Sequence, residues 1–126
     1  MRLEFLQNIN EFEEHAVRLS DFDSAQAEKF RQIINNLIMD HKIPVDLTTF
    51  DFIEPVRCRL VLRVSEEDIG IETTDKRDFF CDLTLESYKN MSKLLEPFCN
   101  RESKGYQWLY DVDTPIDFLF SSGGKW

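Results

Sequence analysis

Apolar residues recur along this chain with two different periods, and the element changes where the period does. Between 24 and 41, Ala27, Phe30, Ile33, Ile34, Leu37, Ile38 and His41 fall on one stripe, with Glu28, Arg31, Gln32, Asn35 and Asn36 on the other side. The spacing predicts an amphipathic helix over 24–41. Asp23 caps it, Gln26 reaches back to the cap from the third helical position, and Pro44 stops it. A second stripe, Leu85, Tyr88, Met91, Leu95 and Phe98, predicts a helix over 85–98 opened by Thr84.

From 46 to 83 the period is two. Thr48, Phe50 and Phe52 alternate with Thr49 and Asp51, and Cys58, Leu60, Leu62 and Val64 alternate with Arg57, Arg59, Val61 and Arg63. Ile69 and Ile71 follow the turn Ser65-Glu66-Glu67-Asp68; Phe79, Cys81 and Leu83 follow Asp75-Lys76. Pairing Val64 with Ile69 sets Leu62 opposite Ile71, and pairing Ile71 with Cys81 sets Ile69 opposite Leu83. One register thus turns every apolar side chain to one face, which predicts a four-stranded antiparallel meander.

In the last part, pairing Tyr110 with Ile116 sets Trp108 opposite Phe118 and Tyr106 opposite Phe120. That is a hairpin with its large side chains on one face and Gln107, Leu109, Asp117 and Leu119 on the other. Near the start, Leu3 and Phe5 suit a short strand. Asn10 and Glu13 resemble a capping box for a helix through Phe12, Ala16 and Leu19, and a strand through Val17 and Leu19 is nearly as good. The expectation is a single α+β domain over 1–126. Its antiparallel sheet has about five to seven strands in the order meander, helix, hairpin, with two main helices packed on one face.

Composition fits this reading. A chain of 126 residues with 42% hydrophobic residues and 11 Phe builds one core rather than two. No apolar run approaches the roughly 20 residues of a membrane span. Met1-Arg2-Leu3-Glu4-Phe5 lacks the pattern of a signal peptide, so a cytoplasmic protein is expected. Cys58, Cys81 and Cys99 are odd in number and form no close pair; neither a disulfide framework nor a zinc knuckle is indicated, and Cys58 and Cys81 read as core residues.

Charge changes the picture more. The net charge of −9 argues against binding nucleic acid or an anionic membrane, both of which need clustered Lys and Arg. Residues 43–75 carry eight acidic side chains against three basic ones, while 76–126 carry eight against seven. The acid suits solubility, or a basic partner.

Candidate chemistry is sparse. Asp111-Val112-Asp113-Thr114 superficially resembles the nucleophile motif of haloacid-dehalogenase-type phosphatases, but Pro115 stands where that motif wants Thr, and no α/β domain follows. A polar hairpin turn is the better reading. The same turn and Asp21-Phe22-Asp23 both fail as calcium loops, lacking Gly at the sixth position and Glu at the twelfth. No metal is expected, with a weak divalent site at Asp111, Asp113 and Asp117 as the alternative. Ser121-Ser122-Gly123-Gly124-Lys125 has no following helix to complete a phosphate loop, and reads as an exit with Trp126 packing back or reaching a partner. His41 suits a helix C-terminus, and no catalytic residue stands out. Arg57, Arg59 and Arg63 line the outward face of one strand, balanced by Glu72 or, alternatively, gripping an anion.

In general character, being small, strongly acidic and without a catalytic constellation, the chain resembles the immunity proteins that bacteria encode beside polymorphic toxins. Those are often compact acidic α/β domains that block a basic toxin. The resemblance carries no motif and assigns no residue. It implies a non-enzymatic bacterial interaction or inhibitor domain, with a basic protein partner and no cofactor. From the residues themselves, the candidate contact points are Glu66, Glu67 and Asp68 at one turn and Asp111 and Asp113 at another. The alternative is a small-ligand binder or enzyme using Tyr106, Trp108 and Tyr110 as a pocket wall, which a concave site setting one of them beside a polar group would favour. A homodimer through the aromatic hairpin is a third reading.

Overall fold

The computed structural model of the chain describes residues 1–7, 14–100, 105–112 and 114–122. Its strands are β1 (Arg2–Leu6), β2 (His15–Ser20), β3 (Val45–Asp46), β4 (Glu54–Val56), β5 (Arg59–Val64), β6 (Gly70–Thr73), β7 (Asp78–Leu83), β8 (Tyr106–Tyr110) and β9 (Ile116–Ser121). The helices are α1 (Ser24–Ile33), continued by a π-helical turn over Ile34–Met39, and α2 (Leu85–Asn100). The class is α+β, and the strands form two mixed sheets in the orders β4-β1-β2-β9-β8 and β3-β5-β7-β6. No helix among the described residues is long and apolar enough to cross a membrane.

The helices form where their caps and stripes put them. Asp23 accepts from the Gln26 backbone N–H at 2.8 Å, and the Gln26 side chain accepts from the Asp23 N–H at 3.2 Å, a complete capping box. Thr84 Oγ1 accepts from the Ser87 N–H at the start of α2. Arg31 ties the helices together by donating to the Ser92 carbonyl and the Glu96 carboxylate. The π turn satisfies its widened end through Asp40 N–H to Asn35 carbonyl, and His41 Nδ1 lies 2.7 Å from the Asn36 carbonyl oxygen.

The helix pair covers the inner faces of both sheets. Phe30 of α1 and Phe98 of α2 meet Phe120 of β9 at 5.8 and 5.1 Å between ring centroids, and Phe22 stacks on Phe120 at 4.0 Å. Phe5 of β1 meets Phe79 of β7 at 4.7 Å, joining the two sheets. Fully buried Tyr88 of α2 places its hydroxyl 2.9 Å from the Arg63 carbonyl and 2.8 Å from that of Cys81, so one helix residue spans β5 and β7.

The meander is corrected. β5 does not pair with β6; it runs parallel to β7, with Leu60 opposite Phe79, Leu62 opposite Cys81 and Val64 opposite Leu83. The pairing of Ile71 with Cys81 holds, with β6 antiparallel to β7 at the sheet edge. Alternating apolar residues satisfy both arrangements equally, because either one buries the same face. The outer face separates them. The parallel register sets Arg59 beside Asp78 and Arg63 beside Asp82, with Arg63 held by both carboxylate oxygens at 2.6 and 2.7 Å and lying over Phe80. Glu72, expected opposite Val61, lies opposite Phe80 instead.

Three further expectations change. The strand through Thr48, Phe50 and Phe52 is only Val45–Asp46, because Asp46 accepts from the Thr48 N–H and turns the chain into a 3₁₀ turn over Leu47–Thr49. Residues 15–20 are strand rather than helix, while Asn10 and Glu13 lie outside the described residues. The C-terminal hairpin is out of the expected register: Tyr106 faces Ser121, Trp108 faces Leu119 and Tyr110 faces Phe118, with an irregularity between Trp108 and Tyr110. Trp108 is therefore half-buried on the face opposite Phe118, not its neighbour in the core.

Gly70 locks the edge of the second sheet to this hairpin. Its φ of +92° is a conformation L side chains rarely adopt, and an added Cβ would sit 2.4 Å from Thr114 Oγ1, which also accepts from the Ile71 N–H. Gly70→Ala combines backbone strain with a clash and should cost about 2–4 kcal/mol in urea unfolding. A loss below about 0.5 kcal/mol, the level of an ordinary surface change, would mean that this contact is slack.

Candidate functional site

A groove of about 240 Å³ opens between the first turns of α2 and the tip of the β8–β9 hairpin. Asp68, Ser87 and Asn90 border it on one side, and Trp108, Tyr110 and Asp111 on the other. Leu109 is buried in the core while Trp108 and Tyr110, two positions apart, both border the groove, with a register shift against β9 between them.

Asp68 is not the free carboxylate its position in an acidic turn implies. Its Oδ1 accepts from the Thr84 backbone N–H at 2.8 Å and the Thr84 hydroxyl at 2.9 Å, bracing the start of α2. Burial works against its charge, but hydrogen bonds from Thr84 and Ser87 outweigh that and hold the carboxyl below its ordinary range. It presents a carboxylate to the groove. Glu66 and Glu67 are exposed and do not line it, and the link they occupy is no hairpin tip, since it carries the chain from β5 across to β6 on the far side of β7.

Asp111 connects the groove to a second carboxylate. Asp117 lies in β9 on the outer face of its sheet, opposite Ala16, and is only 8% exposed. No cation pairs with Asp111 or Asp117 among the described residues. Burial first, then the charges of Glu14 and Asp111, push the Asp117 carboxyl up to about 6. Exposed Val112 stands at the same tip.

The expected site residues therefore divide. Asp68, Asp111, Trp108 and Tyr110, drawn from two separate hypotheses, meet at one groove. Tyr106 stands edge-on to Trp108 at 6.2 Å without lining it. Asp113 and Trp126 lie outside the described residues. Ser87 and Asn90 of α2 were missed, having no signal beyond being polar positions of an amphipathic helix. Asp21 pairs with Arg2 and Asp23 caps α1, which leaves neither to a calcium loop. Among the described residues, no group of three or more His, Cys, Asp or Glu could hold a metal ion. Arg59 and Arg63 are committed to Asp46, Asp78 and Asp82, so of the outward arginine stripe these two are no anion grip as they stand.

Compared with family models, curated proteins and solved structures, the chain matches none.

Asp117 gives a pH-dependent prediction. Its folded-state pKa is raised, so the native state binds the proton more tightly than the unfolded chain, and ionisation costs stability as pH rises from about 4 to about 6. Asp117→Asn removes that cost. The variant should melt above the wild type at pH 7.5, and the gap should close toward pH 4. A gap that is constant across this range would show that the carboxyl titrates normally.

Proposed function

We propose that this chain is a non-enzymatic protein-interaction domain whose groove receives a lysine or arginine side chain from a basic protein partner. The observation that carries the reading is the grouping of the carboxylates Asp68 and Asp111 with Trp108 and Tyr110 around one concavity. Aromatic faces and carboxylates are what a cation needs, since the ring supplies cation–π attraction and the carboxylate a charge-assisted hydrogen bond. The Asp117 carboxylate beside Asp111 adds negative field that a partner's charge would relieve.

The alternative reading, a small-ligand pocket walled by the aromatic hairpin, asked for an aromatic residue beside a charged group in a concave site, and that arrangement is present. Size favours the interaction reading. A groove of about 240 Å³ falls below the roughly 300–1,000 Å³ that buries a small molecule, and suits one side chain of a larger partner. An immunity-type inhibitor acting in the bacterial cytoplasm is the finer form of this proposal. Its support is the acidity of the chain and its small size.

A Lys/Arg-rich peptide immobilised for surface plasmon resonance tests it. Asp111→Asn combined with Asp117→Asn should weaken binding about tenfold or more at low salt, and the difference should shrink as salt rises. Trp108→Ala should weaken binding at every salt concentration, because ring contact is little screened. Glu66→Gln combined with Glu67→Gln should slow association while leaving dissociation unchanged. Equal losses from the loop and groove variants, or no binding by the wild type, would sink the groove as the contact.

A further inference from the structure

A second depression lies at the other end of β7. It has a volume of about 730 Å³, and its charged lining is Arg57, Arg59, Lys76 and Arg77 against Asp75 and Asp78. Four cations against two carboxylates make it a positive site on a chain of net charge −9. Both carboxylates are already occupied. Asp78 holds Arg59, and Asp75 Oδ1 accepts from the backbone N–H groups of Arg77 and Asp78, folding the loop that presents Lys76 and Arg77.

The remaining cations are distinguished by what they lack. Among the described residues, Arg2, Arg18, Arg31, Arg59 and Arg63 each hold a carboxylate. Arg57 and Arg77 hold none, and both line this cleft, as does the unpaired Lys76. Arg57 and Lys76 also adopt left-handed backbone conformations, with φ of +58° and +59°. Glycine or asparagine would take these conformations at lower cost, yet long cationic side chains stand there from two different loops. The same two residues line a neighbouring depression of about 450 Å³, so they stand between the two hollows.

We propose that this cleft binds a small molecule through its phosphate groups. Two guanidinium groups and an ammonium with no internal partner match the forked, multidentate acceptor pattern of phosphate oxygens. The volume accommodates a molecule larger than the anion itself. Burial, aided by the Glu4 charge, pushes the neighbouring Cys58 thiol up to about 11 and keeps it protonated at neutral pH, so it is no nucleophile for this cleft. The site is separate from the acidic groove and does not depend on the function proposed for that groove.

Inorganic pyrophosphate titrated into the ¹⁵N-labelled full chain tests the proposal, with tricarballylate, a tricarboxylate, as the arm for charge alone. Pyrophosphate should shift the amides of 57–59 and 75–78 saturably, and tricarballylate should bind at least tenfold more weakly. Arg57→Gly combined with Lys76→Gly should abolish the shifts while leaving Tm unchanged or higher, because glycine relieves the left-handed backbone. Arg57→Gln combined with Lys76→Gln serves if the glycine pair does not fold. Lys89→Gln combined with Lys93→Gln, on the exposed face of α2, should leave binding intact. Absence of a saturable shift, equal affinity for both anions, or equal loss in the α2 variant would overturn the proposal.

Discussion

Every residue of β9 is buried, and the rest of the fold is arranged to make that possible. On one face Phe118 and Phe120 collect Phe22, Phe30 and Phe98, which fixes both helices against the sheet. Along its edges β2 pairs parallel and β8 pairs antiparallel, so β9 has no open hydrogen-bonding edge. On the other face Leu119 is enclosed as fully as the phenylalanines. The partners β2 and β9 come from opposite ends of the described chain. The first sheet therefore closes only after distant segments meet, a topology that costs loop entropy early in folding.

The same constraint shapes the surface chemistry. A strand buried on both faces has no comfortable place for a carboxylate, yet Asp117 is part of it, with Asp111 and Glu14 close enough to oppose its ionisation. Elsewhere the chain neutralises its charges with care. The outer face of the second sheet pairs arginine with aspartate strand by strand, and Arg18 pairs with Glu4 on the first. Unbalanced charge of each sign is then found at opposite ends of β7: carboxylates where Asp68 braces Thr84, and cations where Asp78 begins the strand. At each end a carboxylate also serves the fold, Asp68 by bracing the start of α2 and Asp75 by holding the loop before β7.

How much of this was legible in the sequence depended on whether the signal was local. The Asp23–Gln26 capping box, the stripe of α2 and the partners Ile71 and Cys81 follow from short-range pattern and stand as read, while the stripe read over 24–41 is α-helical only to Ile33, π-helical to Met39, and leaves His41 exposed beyond it. The parallel pairing of β5 with β7 was hidden because Leu60, Leu62 and Val64 bury the same face in either direction. The deciding information lay in the polar positions Arg59, Arg63, Asp78 and Asp82. The groove was legible in pieces. Asp68, Asp111, Trp108 and Tyr110 were each candidates, but their meeting depends on a crossover from β5 to β6 that no periodicity encodes. Lys76 was read only as part of a turn and Arg77 was not singled out, since the absence of a carboxylate partner for either among the described residues is visible only in three dimensions.

Carboxyl-carbon NMR of Asp117 across pH, in the free protein and with a saturating lysine-rich peptide, tests the central claim: this carboxylate is held in a field that a partner's cation relieves. The account predicts a midpoint near 6 in the free protein, moving down toward the ordinary carboxylate range when the peptide binds. A free-protein midpoint at the ordinary value of about 4, or one that the peptide leaves unmoved, would contradict it.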